Sequence, residues 1–178
     1  MPSITRAEWP DRIKAWGREL GFQQVGVSDL DLGTASEHFR QWLADGFHGD
    51  MHYMAEHAAL RLDPAALYPG TIRVISVRMD YWPESRHQAL AQLENPSAAY
   101  ISRYALGRDY HKLLRKRLKQ LAERIRLEAG SLQYRVFADS APVLEKPFAV
   151  KAGLGWTGKH TNLINRNDGS FFFLGEIY

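Results

Sequence analysis

The 178-residue sequence predicts one layered domain of α/β (α+β) class, a central sheet with flanking helices. Three observations carry that expectation. Segments whose apolar residues recur every three or four positions alternate with short runs rich in Val, Ile, Phe and Tyr. With 45% hydrophobic and 24% charged residues, the composition suits an ordinary core and surface. No internal repeat or low-complexity tract interrupts the alternation.

The opening reads as a helix. Thr5 and Glu8 have capping-box spacing, and Trp9, Ile13, Trp16 and Leu20 follow at helical intervals. Gly21 stops it, and "QQVGVS" supplies a short strand. Residues 36–45 form a second amphipathic helix burying Phe39, Trp42 and Leu43, and "DMHYMAEHA" a further helical piece. "TIRVISVRMDY" is the clearest strand, apolar enough to be central. Residues 82–97 lose all pattern and read as a loop. In "DYHKLLRKRLKQLAERIRLEAG", Leu113, Leu114, Leu118, Leu121, Ala122 and Ile125 make one apolar face and Gly130 ends the helix. "QYRVFA" is a strand, a helix begins near Pro142, a glycine loop follows, and "SFFFLGEIY" closes as a strand. Because the chain stops inside that apolar strand, its end reads as a cut through a longer protein.

Composition narrows the function. No apolar run approaches the eighteen or so residues a membrane span needs, and the charged, amphipathic start lacks the apolar stretch of a secretory signal. The expectation is a cytoplasmic protein. Zero cysteines exclude disulfides, thiolate metal sites, a cysteine nucleophile and cysteine-held iron–sulfur clusters within this chain.

"KAGLGWTGKHTN" matches Gly153-x-Gly155-x-x-Gly158, the spacing of a dinucleotide fingerprint, and also nearly matches a P-loop. Its context is inverted, however: it follows a helical segment and precedes the strand-like "TNLIN". His160 stands where a P-loop needs Ser or Thr. The remaining readings are a turn-rich loop, or a backbone that lets a large flat ligand approach beside Trp156, Lys159, His160 and Asn162. Asp139 follows the strand "YRVFA", where a ligand site or a helix cap is expected. For Asp139 to serve as an acid catalyst, desolvation must outweigh the pull of any helix N-terminus on its anion. His48, His52 and His57 hint at a metal, but without a tight carboxylate set they read as surface histidines. The long helix carries Lys112, Arg115, Lys116, Arg117, Lys119, Arg124 and Arg126 against Asp109, Glu123 and Glu128. That surplus exceeds the whole chain's +3 and is either a solvated face or a grip for a phosphate backbone.

Six stretches in collinear order resemble the N-terminal part of the epoxyqueuosine reductase family: "ELGFQQVGVSDLDL", "HGDMHYM", "LYPGTIRVISVRMDYWP", "YISRYALGRDYHKLLRKRL", "FADSAPVLEKPFAVKAGLGWTGKHTNLI" and "GSFFFLGEIY". The resemblance implies that residues 1–178 form a nitroreductase-like domain holding base-off cobalamin, with the glycine loop against the corrin. It puts the catalytic acid at Asp139, protonating the oxygen of the substrate epoxide. It puts cobalamin contacts at Arg61, Ser102, Arg103, Tyr104, Asp139, His160, Leu163 and Leu174. It further implies tRNA carrying epoxyqueuosine as substrate, a monomer with no membrane, and two 4Fe-4S clusters in a further domain that this cysteine-free chain does not include. A fragment lacking that relay is expected to be inactive alone. Two other functions stay open: a stand-alone cobalamin-binding module without chemistry, and an RNA-binding domain built on the basic helix.

Overall fold

The computed structural model describes residue 5 and residues 7–178. In chain order the elements are α1 (Trp9–Glu19), β1 (Gln24–Ser28), α2 (Thr34–Ala44), α3 (Tyr53–Glu56), α4 (Ala58–Leu62), α5 (Pro64–Leu67), β2 (Val74–Asp80), α6 (Arg86–Leu93), α7 (Tyr110–Ala129), β3 (Val136–Phe137), α8 (Glu145–Lys151), β4 (Trp156–Thr157), β5 (Leu163–Ile164) and β6 (Phe172–Ile177). A 3-10 turn, Arg103–Ala105, precedes α7.

Four strands make one sheet in the order β1-β2-β6-β3, every pair antiparallel, while β4 and β5 form a separate hairpin. The layered class holds, in its α+β form. In such a sheet strand ends alternate in direction, so the rule for ligand sites at carboxyl ends of parallel strands does not apply. As expected, β2 is central.

The two faces of the sheet are filled differently. Ile75, Val77 and Met79 alternate along β2 toward α1 and α7, where Ile13, Trp16, Phe22, Leu114, Leu118, Leu121 and Ile125 complete a wholly apolar core. Gly175 of β6 leaves the room that Leu118 fills. The opposite face lies under α8. There the cross-strand row Gly26, Ser76, Glu176, Phe137 runs beneath the helix, Glu176 with no exposure at all. At Gly26 a β-carbon would collide with the carbonyl of Ala152, the residue that ends α8, so helix and strand touch backbone to backbone there.

Several expectations change in detail. Residues 82–97 are not all loop: α6 sits there, opened by a complete Ser85/Gln88 capping box. The piece around "DMHYMAEHA" breaks into α3 and α4 at His57. Strand β3 pairs only at Val136 and Phe137, with Arg135 adding a doubly bonded pair to Tyr178. Leu113 is 44% exposed and leaves the apolar face of α7. The first helix begins at Trp9. Glu8 accepts from the Thr5 amide (2.8 Å), but the Thr5 hydroxyl donates to Glu8 rather than capping its backbone, so half of the box is present.

Candidate functional site

Asp139 lies just beyond β3 in a tight turn with φ 64°, in the left-handed region that non-glycine residues occupy only when held there. Three neighbours hold it. The Tyr110 hydroxyl donates to Oδ2 (3.1 Å), and His111 Nε2 lies 2.8 Å from the same oxygen. The Asp139 backbone N–H donates to Glu145 Oε1 (2.9 Å). Asp109, which caps α7, accepts from the His111 backbone N–H and lies 3.0 Å from His111 Nδ1. The protonated imidazole therefore bridges two carboxylates. Its proton affinity is raised, first by the Asp139 bond and further by Asp109. The Tyr110 hydroxyl is pushed up to about 12, by burial and then by the Asp139 charge.

The Asp139 side chain is nevertheless 61% exposed. The desolvation that an acid catalyst needs is therefore not supplied by this chain's own side chains. The turn sits at the open N-terminal end of α7, where polar partners surround it in place of apolar cover. Beside it is a cavity of about 610 Å³ lined by Tyr53, His57, Arg61, Asp139, Ser140 and Glu145. A larger cavity, about 890 Å³, lies between α1, α7 and the loop before β2, and includes none of the site residues expected from the sequence.

The glycine stretch forms the turn out of α8 and the β4–β5 hairpin, not a strand-to-helix phosphate loop. Its glycines answer to the chain itself. A side chain on Gly155 would strike the Ile164 carbonyl, and one on Gly158 would strike the His160 ring, so the hairpin closes on its own backbone. Gly153, by contrast, has φ 77° and nothing near its missing β-carbon. Lys146 ties the hairpin down, donating to the Thr161 carbonyl (2.8 Å) and to Asn162 Oδ1 (3.3 Å). Gln24 and Asn165 staple its base through the carbonyls of Gly153 and Leu154.

Consecutive residues of α8 thus clip two loops: Glu145 holds the Asp139 turn and Lys146 the hairpin. Around that point the expected residues fall into three groups. Arg61 shares the cavity with Asp139, and its buried Nε has no hydrogen-bond partner among the described residues. Leu163 and Leu174 pack with Ala149 and Leu154 beneath the hairpin, and His160 is exposed at its turn. Ser102 and Tyr104 are exposed in the segment before α7. The Tyr104 ring meets Tyr110 edge-on at 6.4 Å, and Tyr110 stacks on Phe173 at 3.8 Å. Arg103 turns inward, bound to the Glu84 carboxylate and the Ile101 carbonyl and lying over the Tyr100 ring, so it anchors the segment.

Sequence reasoning missed Tyr110, His111, Glu145 and Lys146. All four lie inside the quoted "GRDYHKLL" and "DSAPVLEKPF" stretches, but only their tertiary pairing reveals a role. Among the described residues no cluster of three or more His, Asp or Glu could hold a metal ion, and no helix is long and apolar enough to cross a membrane.

Residues 61–140, the segment from Arg61 to just past Asp139, match the family described as "Epoxyqueuosine reductase QueG, DUF1730". The chain is 61% identical over 166 residues to the epoxyqueuosine reductase of Pseudomonas aeruginosa, a match covering 93% of this chain and 46% of that protein. It spans about half the length of the curated relatives it matches. Among solved structures it superposes on an epoxyqueuosine reductase from Streptococcus thermophilus with TM-score 0.76 at 22% identity, covering 96% of this chain and 45% of that one. A second epoxyqueuosine reductase, crystallised with an epoxyqueuosine-modified tRNA-Tyr stem loop, matches with TM-score 0.72 at 17% identity over the same shares.

Proposed function

Because the chain belongs to the epoxyqueuosine reductase family, we propose that it forms the cobalamin-binding, acid-bearing part of an enzyme that reduces epoxyqueuosine to queuosine in tRNA. The observation that carries this reading is the meeting of the Asp139 turn and the glycine hairpin at Glu145 and Lys146. Cobalamin supplies the reducing electrons; the protein's work is position, apolar cover and a proton.

The residues present suit such a group. A broad, mostly uncharged macrocycle asks for apolar surface and a few polar anchors. Arg61 offers, beside Asp139, a buried Nε without a partner among the described residues; Leu163 and Leu174 belong to the apolar cluster beneath the hairpin, and His160, Ser102 and Tyr104 are exposed. Arg103 contributes by fixing residues 102–104 through Glu84. Asp139 would pass a proton on to the epoxide oxygen, with His111 as its source. One proton lies between His111 Nε2 and Asp139 Oδ2; its transfer to Asp139 leaves a neutral imidazole and a carboxylic acid beside the cavity. The cysteine-held clusters implied by the resemblance have no ligands among these residues, so the electron relay comes from elsewhere.

The partner in this reading is tRNA, and the location that goes with it is the cytoplasm. Lys112, Lys116 and Lys119 support this. They are exposed on one stripe of α7 that starts beside Asp139, and none pairs with a carboxylate among the described residues. Farther along the helix, Arg124 and Arg126 are taken up by Glu19 and Glu123.

The deciding experiment is Asp139→Asn in the natural gene product loaded with cobalamin. Turnover of epoxyqueuosine-containing tRNA falls by about 10²-fold or more, while the visible spectrum of the bound cofactor is unchanged. Undiminished turnover overturns the reading. The absence of cysteine favours a second reading, a cobalamin-binding module without chemistry. It requires cobalamin to survive desalting in a gene product that shows no turnover under any reductant.

A further inference from the structure

The row of residues beneath α8 contains an unusual pair of acids. Glu176 is fully buried on β6, and neither of its carboxyl oxygens, nor the hydroxyl of its cross-strand neighbour Ser76, makes a hydrogen bond among the described residues. Glu145 opens α8 close to it and is bound to the Asp139 amide. Burial pushes Glu145 up to about 7, with the Asp139 charge adding to it. Burial and the proximity of Glu145 hold Glu176 well above the carboxylate range. The charged and titratable groups facing the pair are Arg61 of α4, Lys146 of α8, Asp139 after β3, Tyr110 of α7 and Tyr178 after β6. Neither cation forms an ion pair with Glu145 among the described residues. Its one hydrogen-bonded partner there is the Asp139 N–H.

We propose that Glu145 is the positioning residue for the acid: by accepting the Asp139 backbone N–H it holds the left-handed turn that aims the Asp139 side chain into the shared cavity. This rests on the reading of Asp139 as proton donor. The physical case is local. A non-glycine residue at φ 64° reverts unless something fixes it, and the two ties on the side chain leave the backbone free to turn. On the backbone two short bonds of the turn also act, Ser140 N–H to the Ala138 carbonyl and Ala141 N–H to the Asp139 carbonyl (2.9 Å each), but among the described residues Glu145 is the one side chain bonded to the Asp139 backbone and ties this turn to α8. An ionised carboxylate grips an N–H more tightly than a neutral acid does. As pH rises through about 7, Glu145 loses its proton and the hold strengthens. Glu176 keeps its proton, so the two acids do not repel each other under the helix.

The test uses two variants of the natural gene product and two readouts. Glu145→Gln keeps an oxygen that accepts from Asp139 but carries no charge; Glu145→Ala removes the acceptor. With cobalamin and epoxyqueuosine-containing tRNA, kcat is followed from about pH 5.5 to 8.5. The wild type shows a rising limb through neutrality as Glu145 ionises, ending where His111 gives up its proton at higher pH. Glu145→Gln loses that rise and about tenfold in kcat, and Glu145→Ala loses about a hundredfold, with KM for tRNA and the cofactor spectrum unchanged. Independently of activity, amide hydrogen exchange at Asp139, corrected for its intrinsic pH dependence, becomes more protected with rising pH in the wild type and is flat in Glu145→Gln. A Glu145→Ala enzyme with wild-type kcat and pH profile, or an Asp139 amide whose protection ignores both substitutions, overturns the proposal. If Asp139→Asn itself turns over normally, the reading of Asp139 falls, and amide protection still decides the clamp.

Discussion

The two faces of the sheet are built on opposite terms. Toward α1 and α7 every buried side chain of the central strands is apolar, and leucines of α7 fill the space without a polar atom among them. Toward α8 the same strands bury Ser28, Ser76, Arg78 and Glu176, and several of their polar atoms have no partner among the described residues. Burying unpaired polar groups is unfavourable, whereas burying leucine is the main source of stability. The first face holds the domain together. The second gives up some stability, and it is the one beneath the site.

The largest effect should come from breaking the apolar face. Leu118 is fully buried over Gly175, and Leu118→Ala should lower unfolding free energy by about 2–5 kcal/mol in denaturant titrations. The Glu145 tie to Asp139 comes from α8, on the other side of the sheet, and should survive at low temperature, whereas the Tyr110 and His111 ties come from α7 itself. A loss under about 1 kcal/mol would mean that this face is not the main support.

The polar face should reveal itself through pH. Glu145 and Glu176 both bind protons more tightly folded than unfolded, where the ordinary value is 4.5. Their contribution is complete below that value and is lost as pH rises through the folded value, about 7 for Glu145. Glu176→Gln should remove about one proton from the slope of stability against pH, leaving the variant the more stable protein above neutrality. Parallel curves for variant and wild type would contradict this.

A smaller effect concerns α7, whose cations divide along its length. Replacing Lys112, Lys116 and Lys119 with Gln should flatten the salt dependence of tRNA binding by roughly 2–3 units of log–log slope; neutralising Arg124 and Arg126 should change it little. The smallest belongs to His111, which is partly exposed. Its raised proton affinity makes the Asp139 tie complete below pH 6.5 and lost as pH climbs through the folded value. His111→Gln should therefore erase a slight pH dependence in the NMR shifts of the Asp139 turn and barely alter stability.

What the sequence disclosed divides along the same line. α1, α7, β1, β2 and β6 were legible because apolar periodicity records burial against a hydrophobic layer. α6 was not, because its residues bury little; its Ser85/Gln88 box was the available signal. Asp139 was legible through a specific motif, and Arg61 does share its cavity. Glu145, Tyr110 and His111 were not, because their role arises from contacts between segments six to about thirty residues apart and leaves no local pattern. Arg103 has a partner the sequence did not suggest, the Glu84 carboxylate.

The missing side chain at Gly26 gives α8 a fulcrum. Its far end rests on bare backbone at Ala152, and its near end, seven residues and roughly 10 Å away, carries Glu145 and Lys146. A single methyl group at position 26 would lift the heel of this short lever and swing its toe, detuning both loops at once from the far side of the helix.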